Sequence, residues 1–233
     1  MTMRTVAANL LLLVGFAVTG TAQAVQFYSI STITSTTSAT DVFPVANLIQ
    51  GAGVGFDGTA PHDKIGSGFN GVWATAAPGG FPADYIAIAG MPVLTIDLGQ
   101  NRTLSEISVW GYVSSNANGV SVFSLQFATE AEGTGGLGTS ISFNPTYFPT
   151  NDDVQRQSFG FGQSLSARYI EFTAIDNFFI TPGDGSGGET PGGDRVGLGE
   201  IAFASTTVPE PTTTALLALG LLGAGYARKR RSH

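Results

Sequence analysis

The residues able to do chemistry are few and poorly matched to one another. His62 is the only histidine ahead of the C-terminal tail and is followed by Asp63. The chain has no cysteine, which excludes thiol nucleophiles, thiolate zinc sites and disulfides together. No HExxH, P-loop or G-x-S-x-G motif is present to give His62 a partner in metal or nucleophilic catalysis. Asp152, Asp153 and Asp184 stand in polar, Gly-rich or loop-like contexts, whereas a glycosidase needs two carboxyls held a fixed distance apart on rigid elements. The reading from these residues is therefore non-catalytic, with a polysaccharide hydrolase as the alternative.

Aromatic residues offer a different chemistry. Trp73, Tyr147, Phe148 and Phe178 are candidates for stacking on the C–H face of a sugar ring, with Phe69, Phe81 and Phe179 also in expected loops. Packing in the core is the competing role for Trp73. Between Val25 and Val208 there are 16 acidic against five basic residues, a net charge of about −11 for that segment, which makes nucleic acid a poor partner. Neutral ligands and divalent cations are compatible with that charge.

The two ends read as addresses. Arg4 precedes an apolar stretch from Val6 to Val18 and then Ala22-Gln23-Ala24, the order of a signal peptide cleaved after Ala24; the stretch is too short to span a bilayer well. At the other end Val208-Pro209-Glu210-Pro211 precedes an expected membrane helix at about 212–227. Arg228, Lys229, Arg230 and Arg231 follow as a cytoplasmic anchor. Proline motif, apolar helix and basic cluster in that order resemble the PEP-CTERM sorting signal. The resemblance implies recognition by a membrane-embedded exosortase in a Gram-negative bacterium that makes extracellular polysaccharide.

Between the addresses, residues 25–205 read as one all-β domain. Gly is 32 of 233 residues and charged residues only 12%, a composition of turns and core rather than of helix surfaces. Period-two alternation predicts strands at 93–98, 105–112, 121–128, 158–161, 167–173 and 198–203, and an antiparallel jelly-roll β-sandwich accommodates them. The segments 51–92 and 181–194 interrupt the pattern without helical period; both are expected as long loops on the rim, the second, Gly-dominated and without an aromatic, as a disordered one.

Five segments in order resemble a discoidin-type, or coagulation-factor type C, domain of the galactose-binding-like superfamily. They are Val45–Gly51, Gly71–Thr75, Leu94–Gly99, Ala167–Phe172 and Arg195–Ile201. The resemblance implies rim loops that bind sugars, lipids or protein surfaces, and a structural Ca²⁺ held by backbone carbonyls, an Asp and a Glu. Glu200 matches that Glu; Asp57 or Asp41 would replace the ligand lost at Gln50, and an ion pair of Glu200 with Arg168 or Arg195 is the other possibility. The functional expectation is an exported surface or matrix protein that binds extracellular polysaccharide, with the hydrolase and a self-assembling biofilm coat protein as alternatives.

Overall fold

The computed structural model describes residues 25–37, 43–49, 64–65, 71–112, 117–146, 154–179 and 192–206. The expected signal peptide, membrane helix, proline motif and basic anchor lie outside them. Among the described residues no helix is long and apolar enough to cross a membrane. The segment from Val25 to Thr207 is a compact unit of its own.

Among the described residues ten strands build this unit: β1 (Val25–Tyr28), β2 (Thr32–Ser35), β3 (Lys64–Ile65), β4 (Trp73–Ala74), β5 (Val93–Trp110), β6 (Val120–Ala128), β7 (Ile141–Phe143), β8 (Val154–Asn177), β9 (Gly197–Leu198) and β10 (Glu200–Thr206). The main path runs β1-β10-β5-β8-β6-β7, with β2 added beside β5 and β3 beside β8, and β4 pairs β9 separately. All of these pairings are antiparallel.

The sequence predicts short strands at 93–98 and 105–112, and again at 158–161 and 167–173. Each couple is instead one long strand, β5 and β8. The ladder between them breaks register twice: between Asp97, which pairs Tyr169, and Arg102, which pairs Ala167, the extra residues lie in β5, and between Leu104, which pairs Leu165, and Glu106, which pairs Gly160, they lie in β8. Gly99 (φ 78°) and Gly162 (φ 74°) supply the left-handed backbone needed there. The first half of β5 pairs β2 and the second half of β8; its second half pairs β10 and the first half of β8.

Aromatic contacts show that the two halves face each other. Phe123 on β6 stacks on Phe172 with centroids 4.7 Å apart and meets Phe159 edge-on at 5.7 Å. In a straight strand residues 159 and 172 would lie about 43 Å apart, so β8 must turn back over the core. Phe143 on β7 (5.4 Å from Phe159) and Phe127 (5.2 Å from Phe161) extend the same seam. Leu94, Ile96, Ile107, Val109, Ile170, Ile201 and Phe203 fill the rest of this core. The expected β-sandwich thus forms by folding two shared strands.

At the turn the outer side is held by charge. Arg168 donates through Nε and Nη2 to the two carboxylate oxygens of Asp97 (2.9 and 3.1 Å) and through Nη1 to Glu130 (2.8 Å). The guanidinium keeps the Asp97 carboxyl below its ordinary range, and the Gly99 N–H donated to Asp97 Oδ1 (2.7 Å) acts in the same sense.

Two short helices fall where no helical period is visible. A 3₁₀ helix covers Val45–Ile49, and α1 covers Tyr85–Ala89, where Asp84 caps the first turn by accepting the Ala87 N–H at 3.0 Å. A single turn is too short to show a period, so the expectation of pure loop for 51–92 is corrected here.

Truncating Phe123 to Ala removes the ring shared by both halves and leaves a cavity, so a loss of about 3–5 kcal/mol is expected. Urea unfolding of the exported protein measures it, and a loss below about 1 kcal/mol would show that the seam does not hold the halves together.

Candidate functional site

The rim opposite the Gly99–Gly162 turn collects the ends of β4, β6, β8 and β9 with the segments 71–92 and 192–196. Its frame is polar and largely buried. Asn177, at the end of β8, donates through Nδ2 to the carbonyls of Gly193 and Arg195 (both 3.0 Å) and accepts the Phe179 N–H on Oδ1 at 3.1 Å. Asn118, just before β6, accepts the Arg195 N–H at 3.3 Å. One side-chain amide thus fixes three backbone groups of segments that have no ladder of their own.

Thr75 and Arg195 tie the two long connections together. The Val196 N–H donates to Thr75 Oγ1 (3.0 Å), the Thr75 N–H donates back to Val196 O (2.9 Å), and Arg195 Nη1 donates to Thr75 O (2.7 Å). The guanidinium lies 5.9 Å from the Phe43 ring centroid and 4.0 Å from Asp194. Tyr112 is buried beside this group; burial pushes its phenol up to about 12 although Arg195 pulls the other way.

That frame carries an apolar tip. Tyr85 and Ala83 donate their N–H groups to the carbonyls of Gly193 (2.8 Å) and Gly192 (3.3 Å), which pins the segment between Gly79 and Pro92 to the rim. Phe81, Ile88 and Met91 project from it with 64%, 58% and 54% of their surface exposed. Among the described residues only these three and Val25 are large apolar side chains left exposed, and an aromatic ring held on a fixed segment is a contact group of low ordering cost.

The sequence candidates distribute unevenly. Trp73 is fully buried in the main core and cannot stack on a ligand; its place on β4, paired with Leu198 of β9, turns the indole inward. Phe178 is half-buried beside Gly119, and its N–H donates to the carbonyls of Ala117 and Gly119 (both 3.1 Å). Phe179 is buried. Tyr147, Phe148, Phe69, His62, Asp152, Asp153 and Asp184 lie outside the described residues. Sequence reasoning missed Ile88 and Met91, whose exposure depends on where α1 docks, and Asn118 and Asn177, whose amides look like ordinary turn residues.

Glu200 sits at the start of β10 in a cross-strand row with Trp110 and Arg156, on the side of the sheet covered by Phe43, Val72 and Ala74. It is fully buried, and among the described residues neither carboxylate oxygen nor the Trp110 indole N–H has a hydrogen-bond partner. The expected ion pair with Arg168 or Arg195 is not made: Arg168 serves Asp97 and Glu130, and Arg195 serves Thr75 and Asp194. Burial pushes the carboxyl up to about 8. Such an orphaned carboxylate fits a cation, but Asp41 and Asp57 lie outside the described residues, and among the described residues no three acidic or imidazole side chains gather. Further oxygens would have to come from elsewhere, and backbone carbonyls suit Ca²⁺.

Solved structures similar to this chain include the family 32 carbohydrate-binding module of Clostridium perfringens NanJ in complex with galactose (16% identity, TM-score 0.46, 78% of this chain and 100% of that one). Another is chitosan-binding module 1 from a Paenibacillus sp. IK-5 chitosanase/glucanase (14%, 0.43, 76% and 95%). A third is the lectin domain of lectinolysin complexed with Lewis B antigen (14%, 0.44, 76% and 93%). No match among curated proteins was found. Residues 207–231 match the model of the PEP-CTERM protein-sorting motif, so the chain carries that motif directly after its last described strand.

Proposed function

We propose that the protein is an exported, non-catalytic surface or matrix protein whose rim binds extracellular polysaccharide. The observation that carries this reading is the Phe81, Ile88 and Met91 tip, fixed by backbone bonds to 192–193 and left in solvent. β10 ends at Thr206, at the turn end of the sandwich, and the sorting motif begins at the next residue. Pyranose C–H faces suit Phe81, and the acidic character of the domain suits neutral polymers better than polyanions.

In this reading residues 1–24 are removed on export, an exosortase-type enzyme acts at Val208–Pro211, and the expected helix at about 212–227 with Arg228 to Arg231 holds the precursor in the inner membrane until then. Glu200 holds a structural Ca²⁺, with carbonyls and Asp41 or Asp57 as further ligands. The ion would supply the positive charge that the buried carboxylate lacks.

Phe81→Ala should weaken retention of the exported protein on purified cell-envelope polysaccharide at least tenfold without lowering its melting temperature. Equal retention, or polymer cleavage by the wild type, would contradict the rim reading; concentration-dependent self-assembly with no glycan affinity would replace it with the coat-protein alternative. Replacing Pro209, Glu210 and Pro211 by Ala should leave full-length protein in the membrane, whereas neutralising Arg228 to Arg231 should misdirect it. Mass spectrometry of the mature C-terminus decides this, and a surface form ending at His233 would mean that the tail is only an anchor.

For Glu200 the sign follows from its raised value. In metal-free protein the folded state keeps the proton between 4.5 and about 8 while the unfolded chain loses it. Stability should therefore fall as pH rises through that window, by up to about 1.4 kcal/mol per pH unit. Melting curves in EDTA should show this fall for the wild type and a smaller one for Glu200→Gln. Millimolar calcium at pH 8 should raise the melting temperature of the wild type alone. Identical curves for both proteins, with and without calcium, would remove the site.

A further inference from the structure

The place where β8 leaves β5 opens a second, separate concavity. Four residues of β8, Phe161 to Ser164, stand against the single residue Ser105 of β5, because Leu104 pairs Leu165 while Glu106 pairs Gly160. The bulge leaves an open groove of about 280 Å³ lined by Ser105, Glu106, Gly160, Gly162, Gln163 and Ser164. Bulges of this kind are enriched beside binding sites, where they re-aim side chains.

Gly160 is the telling residue. Gly162 is required by its backbone, but Gly160 has no positive φ, and among the described residues a Cβ built on it would meet nothing closer than the Ser105 carbonyl at 3.9 Å. A glycine inside a strand costs stability, and when neither conformation nor packing demands it, close approach by a ligand is a remaining reason. Across the sheet it lies in one row with Glu106 and Ala204, so the half-buried Glu106 side chain stands between the exposed Gly160 and the buried Ala204.

We propose that this groove is a second saccharide site, distinct from the rim and at the tail end of the domain. It takes one ring of an uncharged or amine-bearing sugar. Glu106 accepts hydrogen bonds from ring hydroxyls or an ammonium group, Gln163 and Ser164 offer further donors and acceptors, and Gly160 lets the ring lie against the backbone. No basic side chain lines the groove among the described residues, so an acidic sugar finds no counter-charge there. The volume lies just below that of usual ligand pockets, roughly 300–1,000 Å³, which suits one ring better than a chain. With the rim at the opposite end, one molecule would join two polymer strands.

Saturation-transfer NMR on the full chain in detergent, with D-galactose, D-glucosamine and D-glucuronate as probes, tests this. Gly160→Val fills the floor at a position with room for a side chain, and Glu106→Gln keeps the shape while removing the charge. In a Phe81→Ala background, which silences the rim, galactose or glucosamine should still give signal, and either groove substitution should reduce it at least fivefold with an unchanged melting temperature. Glucuronate should give none. Signal that survives both groove substitutions, absence of signal in Phe81→Ala alone, or equal signal from glucuronate would overturn the groove site. Loss confined to Phe81→Ala would leave the rim standing without it.

Discussion

Two strands, β5 and β8, each serve both layers of the sandwich, and the rest of the domain depends on how they turn. A straight β8 would carry Phe159 and Phe172 to opposite ends of the molecule, yet both rings rest on Phe123. Burial of these aromatic faces favours the turn, and Gly99 and Gly162 give the backbone freedom to make it. Arg168, shared by Asp97 and Glu130 on the outer side, holds the turn in register. A half-buried bidentate pair of this kind contributes more to geometry than to net stability.

From that turn the two ends of the domain acquire different characters. At the turn end, the departure of β8 from β5 makes a polar groove with a glycine floor, and β10 runs out towards the sorting motif. At the other end the side chains of Asn118, Asn177, Thr75 and Arg195 satisfy backbone groups of the connections. A frame with its polar groups already paired can hold apolar side chains in solvent without losing order, and Phe81, Ile88 and Met91 are held in that way. Among the described residues, Glu200, the Trp110 indole N–H and Arg102 Nε depart from this pairing, buried with no hydrogen-bond partner.

Much of this was legible in the residues. Alternation located the β5, β6, β8 and β10 strands, because one face of each is buried and period two follows from the pleat. The continuity of β5 and β8 was not legible, since Gly99 and Gly162 look like ordinary strand ends when the register across the sheet is unknown. Trp73 illustrates the limit for site residues: its type suited a sugar or the core, the core being the favoured place, and the pairing of β4 with the distant β9 is what turns it inward. Helix α1 was hidden because one turn carries no period, and with it the exposure of Ile88 and Met91. The sorting tail was readable because its meaning lies in linear order and needs no fold.

The most direct measurement of the central reading is an amide chemical-shift map of the exported protein titrated with the exopolysaccharide of its own host. Shifts concentrated at 79–91 and 192–196 are expected, with the polymer length unchanged after incubation. A map with no change at those residues, or a polymer that shortens, would contradict a non-catalytic rim that binds polysaccharide.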